Sequence, residues 1–100
     1  MATPLELSTR RDPDGTPVVA AVGEIDVSNA GRLADTLGLA APWDGQLVVD
    51  LTGVEYLDSA GINALFGYAS RIRIIASPLL APVLTVSGLS GITSVRDPQD

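Results

Sequence analysis

Along these 100 residues the spacing of apolar and polar positions changes period several times, and each change marks an element. Leu5-Glu6-Leu7-Ser8-Thr9-Arg10 alternates with period two, the pattern of an edge strand with one wet face. Asp12-Pro13-Asp14-Gly15-Thr16 is a turn cluster, and Val18-Val19-Ala20-Ala21-Val22 follows as a second strand, so the pair reads as a hairpin. Gly23-Glu24-Ile25-Asp26 then breaks that strand with a flexible residue and two carboxylates. Ala30, Leu33, Ala34 and Leu37 form the apolar stripe of a helix, with Ser28 or Asn29 placed to cap it. Pro42 cannot continue the helix, and Asp44-Gly45 turns the chain toward a central strand. Trp43, the single tryptophan, is expected to be a partly buried cover on the helix end.

Residues 47–66 organise the rest. Leu47-Val48-Val49-Asp50-Leu51 is a short, β-branched apolar run that suits a strand buried on both faces, and Thr52-Gly53 is expected to end it. Beyond Asp58-Ser59 the period changes, and Ile62, Leu65, Phe66 and Ala69 fall on one helical face. Asp58 or Ser59 is suited to cap that helix, because a short oxygen-bearing side chain accepts from its first free N–H groups. Ser70-Arg71 leads at once into Ile72-Arg73-Ile74-Ile75-Ala76. The β-branched isoleucines favour a strand there over a continuation of the helix. Ser77-Pro78 opens a short helix with Leu80, Val83, Leu84 and Val86 on or near one face, closed by Ser87-Gly88-Leu89. Ile92-Thr93-Ser94-Val95 reads as a last short strand before a polar tail. The order β-β-α-β-α-β-α, with that final strand, predicts an α/β domain over residues 1–100. Its mixed sheet has four to five strands, with helices packed mainly on one face.

Composition narrows the chemistry. With 46% hydrophobic and 18% charged residues the chain is globular, and its length suffices for a core without disulfides. The net charge of −6 argues against nucleic acid, since only six basic residues, all arginine, are available to neutralise phosphates. Histidine, cysteine and lysine are absent. Their absence removes Ser-His-Asp triads, thiol chemistry, Cys/His zinc sites and Schiff bases together. No cofactor is implied. No apolar run approaches the ~20 residues of a membrane span, and the start lacks the order of a signal peptide, so a cytoplasmic protein is expected.

Four segments carry a resemblance. Asp50-Leu51-Thr52-Gly53-Val54 followed by Asp58-Ser59-Ala60-Gly61-Ile62 resembles the D-L-[ST]-G-V and D-S-[SA]-G-[LI] segments of the STAS domain. That fold is shared by anti-sigma-factor antagonists and their relatives in sulfate transporters. Gly23-Glu24-Ile25-Asp26 resembles the family's G-E-[IL]-D, and Ser77-Pro78 through Ser87-Gly88-Leu89 its ending. The resemblance implies a STAS fold with Ser59 as the serine phosphorylated by a partner anti-sigma factor. It also places Glu24, Asp26, Asp58, Ser59, Ala60, Gly61 and Asn63 on the partner-binding surface. The implied partners are an anti-sigma-factor serine kinase and a phosphatase acting on phospho-Ser59.

The chain departs from the family between the second helix and the next strand, where about ten residues, roughly 15 Å of helix, are missing. A shortened helix covers less of the sheet, so the surface around Phe66, Tyr68 and Ile72 is expected to pack against a second copy, as a homodimer, or a partner. Three functions remain: a phosphorylation-switched antagonist, a STAS scaffold or transport-accessory protein in which Ser59 only caps a helix, and an enzyme. For the last, only carboxylates and hydroxyls are available, which disfavours it.

Overall fold

The computed structural model describes residues 4–42, 45–91, 93–96 and 98. Strands β1 (Glu6–Arg11) and β2 (Pro17–Ile25) form the expected hairpin, closed by Gly15 at φ 89° and by Asp12 N–H donating to the Thr16 carbonyl at 2.9 Å. Helix α1 (Ala30–Ala40), strand β3 (Leu47–Leu57), helix α2 (Ser59–Phe66) and strand β4 (Ile72–Ile75) follow. Helix α3 (Ala81–Val86) and strand β5 (Ser94–Arg96) complete the order. The five strands lie in sequence order, β1 antiparallel to β2 and every later neighbour parallel. Each parallel connection carries a helix. Crossovers of one hand along a sheet that grows in one direction put all three helices on the same face.

That face holds one continuous core. Val19, Ala21 and Ile25 of β2, Val49, Leu51 and Val54 of β3, and Ile74 of β4 meet Leu33 and Leu37 of α1, Leu65 of α2 and Leu84 of α3. The single apolar stripe on α1 is therefore what docks it.

Several expectations are corrected. The central strand is not ended by Thr52-Gly53 but runs eleven residues to Leu57, kept in the sheet by two bulges. Between the pairs Ala20–Asp50 and Val22–Gly53, β3 advances three residues for two on β2, and it gains another between Gly23–Val54 and Glu24–Tyr56. Inward positions on β3 thus fall at Leu47, Val49, Leu51, then Val54 and Leu57, so the period-two signal breaks although the strand does not. The first bulge is held by Asp50, whose Oδ1 accepts from Thr52 N–H at 3.0 Å and from its hydroxyl at 2.7 Å. Nor does Gly23 break β2. Its φ of 110° suits glycine alone and accommodates the register shift, and pairing continues to Ile25.

At Leu47, Val48 and Val49 the central strand is buried on both faces, as expected, but helices cover only one of them, since Val48 and Asp50 face the side opposite the core. The second helix is short, as expected, and a 3-10 turn at Ala69–Arg71 delivers the chain straight to β4. It leaves no bare patch of the anticipated kind. Ile72 is buried and Tyr68 lies across Gly38 of α1, so only Phe66 is open, at 37% exposure. In α3 the buried residue is Leu84, while Leu80 in the preceding turn is buried and Val86 faces solvent. The last strand starts at Ser94, with Thr93 outside it, and Ile92, Trp43 and Asp44 lie outside the described residues.

Candidate functional site

Parallel strands bring the carboxyl ends of β2 and β3 side by side, with Glu24 opposite Tyr56 and Ile25 opposite Leu57. Crevices at such strand ends are where open α/β sheets place their functional residues. Two loops leave from here, one to α1 and one to α2, and the Asp58 N–H donates to the Ile25 carbonyl at 3.2 Å, tying them together.

Asp58 is the cap of α2. Its Oδ1 accepts from Ala60 N–H at 2.9 Å and from Gly61 N–H at 3.3 Å, while its carbonyl accepts from Ile62 N–H at 3.0 Å. Of the two residues suited to the cap, the aspartate takes it. Ser59 becomes the first helical residue and is exposed. Asn63, one turn further on, is exposed on the same side, and Ala60 is half-buried. Gly61 is buried, and a Cβ there would run into Leu57 Cδ1 and come within 2.7 Å of Ile25 Cγ2. Its part is to let the first turn of α2 rest directly on the ends of β2 and β3. The order aspartate, serine, alanine, glycine is thus a cap, an exposed hydroxyl, a half-buried spacer and a seat.

The neighbouring loop is built around Asn29. The α1 cap position is Asn29, but neither it nor Ser28 makes a side-chain capping bond. Instead Asn29 Oδ1 accepts from Asp26 N–H and Nδ2 donates to the Glu24 carbonyl, both at 2.9 Å. Asp26 supplies the turn. Its Oδ1 accepts from Ser28 N–H at 2.9 Å and from the Ser28 hydroxyl at 2.5 Å, and its carbonyl accepts from Ala30 N–H at 2.8 Å. The Ser28 hydroxyl, then the Ser28 backbone N–H, hold the Asp26 carboxyl below the usual aspartate value against a small opposing effect of desolvation.

The structure therefore joins Asp26, Asp58, Ser59, Ala60 and Gly61 in two linked loops at one end of the sheet. Asn63 extends the surface along α2. Glu24 is half-buried and, alternating with core-facing Ile25, sits on the sheet side away from the helices. Asn29, expected only as a possible cap of α1, has a role that sequence reading missed. Its signal was its place three residues after Asp26, where its amide can bridge the peptide groups on either side of Ile25.

A family model described as "Mlab, STAS domain" matches residues 8–94. Over 65 residues, 64% of this chain, the sequence is 35% identical to the anti-sigma-F factor antagonist RsfB of Mycobacterium tuberculosis. That match covers 53% of RsfB, so the chain spans about half the length of the curated relatives it matches. A crystal structure of an anti-sigma factor antagonist from Mycobacterium paratuberculosis superimposes with a TM-score of 0.82 at 26% identity, covering 96% of this chain and 90% of that one. The unphosphorylated form of the anti-sigma factor antagonist SpoIIAA gives 0.72 at 15% identity over 94% and 90%, a likeness of fold. Among the described residues no helix is long and apolar enough to cross a membrane.

Proposed function

The chain belongs to the STAS domain family, and from that premise we propose that it is an anti-sigma-factor antagonist switched off by phosphorylation of Ser59. The observation that carries the reading is the placement of Ser59 as an exposed hydroxyl on the first residue of α2, directly after a capping aspartate. A kinase can reach it without opening the fold. Asp58 already takes the Ala60 and Gly61 N–H groups, so it is the positive dipole end of the helix that tolerates a phosphate there.

Phosphorylation adds about −1.5 to −2 charge at neutral pH. Asp26 and Asp58 border the same loops, so the new charge joins existing negative charge on the surface a partner must approach. A partner complementary to the unmodified surface loses affinity by repulsion and by the desolvation of a buried phosphate. The switch is local and requires no refolding.

In this reading Glu24, Asp26, Asp58, Ala60, Gly61 and Asn63 form or shape the docking surface for an anti-sigma-factor serine kinase. Binding frees the sigma factor, and a phosphatase restores the modified protein. The domain is the substrate of this chemistry and not its catalyst: the site's two loop carboxylates are already engaged as hydrogen-bond acceptors. It acts in the cytoplasm, where these partners reside.

The test is capture of partners from the native cytoplasm by wild type, Ser59→Ala and Ser59→Asp, followed by incubation with ATP and mapping of the phosphate by mass spectrometry. A kinase held by wild type and Ser59→Ala, lost by Ser59→Asp, with phosphate on Ser59 of wild type alone, is the expected result. Capture of transporter components, indifferent to both substitutions and without phosphate on Ser59, would overturn it in favour of a transport-accessory role.

A further inference from the structure

Cross-strand pairing places Arg10, Val18, Val48, Arg73 and Ser94 in one row across the sheet, and Ser8, Ala20, Asp50, Ile75 and Arg96 in the next. Directly paired residues point to the same side of a sheet. Val18 and Val48 are buried yet lie outside the core beneath the helices, so both rows belong to the opposite, outer face.

Three of the chain's six arginines stand there, all exposed, in a protein of net charge −6. Among the described residues the face holds one ion pair, Arg10 with Asp50 at 3.7 Å. Asp14 in the hairpin turn feels Arg73 only as the weakest influence on its carboxyl, after the Thr16 backbone N–H and the other groups of its own turn. Further along the strands the face holds Val22, 50% exposed, beside its paired and exposed Glu6, and reaches Glu24 and half-exposed Tyr56, so its carboxyl end is acidic where its other end is basic. A parallel sheet is normally covered on both faces, and this one has helices on one only.

We infer that this outer face is a second docking surface, separate from the Ser59 loops, and that it takes an acidic amphipathic helix of a partner protein. Charge complementarity selects the occupant. Arg10 and Arg73 flank the Val18–Val48 floor across three interstrand spacings, about 14 Å, and Arg96 lies diagonally beside Arg73. A helix carrying carboxylates on the borders of an apolar stripe satisfies Arg73 and Arg96, and competes with Asp50 for Arg10, while covering Val22 and Ile75. Nucleic acid would also bring negative charge, but three arginines against the repulsion of the whole acidic chain do not support it. Because Glu24 repels acid at the far end of the face, the helix carries its carboxylates toward the amino ends of β3 and β4.

The experiment titrates isotope-labelled full chain with a synthetic helical peptide of leucine and alanine bordered by glutamates, and with the same peptide bearing lysine for glutamate. Amide shifts at Val18, Ala20, Val48, Arg73 and Ile75 with the acidic peptide only, weakened about tenfold by Arg73→Glu and Arg96→Glu and by added salt, are expected. Ser59→Asp should leave this binding unchanged, which separates the outcome from that of the phosphorylation switch. Shifts confined to residues 58–63, equal response to the lysine peptide, or no loss in the two arginine variants would overturn the inference. So would self-association of the free chain, abolished by Arg73→Glu, which would make a second copy the occupant.

Discussion

Gly61 and Gly31 are both helical glycines, and their surroundings predict opposite outcomes for the same substitution. Alanine is a better helix former than glycine by about 1 kcal/mol, so Gly31→Ala, with nothing within 4 Å of a new Cβ, should stabilise the fold by up to that amount. Gly61→Ala would drive a methyl group into Leu57 and Ile25, and Ile25, being β-branched and fully buried, has little freedom to yield. Overpacking costs about 1–3 kcal/mol and offsets or outweighs the helix gain, so a net loss of up to about 2 kcal/mol in urea unfolding is expected. Equal effects at the two sites would contradict the seat assigned to Gly61. Asp26 gives a pH-dependent counterpart. Its carboxyl is held below the ordinary value of 3.8 by Ser28, so the folded state binds that proton less readily than the unfolded chain. The stabilisation is fully present above the ordinary value and is lost as pH falls through the lower folded-state value. The stability difference between wild type and Asp26→Ala should therefore shrink on acidification across that window. A difference that stays constant there would show that the Asp26 charge takes no part in holding the loop.

At the scale of elements, α2 depends on its cap. It is eight residues long, too short to persist on propensity alone, and Asp58 satisfies two of its free N–H groups. Asp58→Ala should cost about 1 kcal/mol in thermal or urea unfolding, whereas Ser59→Ala should stay within about 0.5 kcal/mol because Ser59 is exposed and holds no cap. If the serine substitution proved the costlier, the division of labour between the two residues would be reversed. The same helix shows why parts of the fold were legible beforehand. A stripe at helical spacing and an oxygen-bearing cap are local signals, and they located α1 and α2 directly. The long β3 was not legible past Leu51, because its bulges replace alternation with a three-residue spacing to Val54 and again to Leu57, and only the partner strand reveals that pairing continues. The site followed the same rule. Asp58 and Ser59 could be read from sequence order, but Asn29 turns its amide back onto Asp26 and Glu24 instead of capping α1, and Gly61 acquires its role only when Ile25 is beneath it.

For the whole molecule the decisive property is that surface charge at the Ser59 end can change without disturbing what holds the fold together. The core lies between the helices and one face of the sheet, and none of its members comes from the loop around Asp26 and Asn29 or from Asp58-Ser59. Ser59→Asp introduces negative charge at the first residue of a helix, where the macrodipole favours it by about 0.3–1 kcal/mol, while Coulomb repulsion through water from the adjacent Asp58 carboxylate opposes it by a comparable amount. The two effects nearly cancel, so the unfolding free energy should remain within about 0.5 kcal/mol of wild type, with amide shifts restricted to residues 58–63 and the loop around Asp26 and Asn29. Binding to the captured kinase should respond quite differently, because the approaching partner meets the added charge together with Asp26 and Asp58 and has no dipole contribution to offset it. Calorimetry should show the affinity of Ser59→Asp falling at least tenfold at low ionic strength, with part of the loss recovered in high salt as exposed charges are screened. A matched loss of stability and affinity would instead mean that negative charge at Ser59 works by unfolding α2, and the switch would then be a folding transition rather than a surface one.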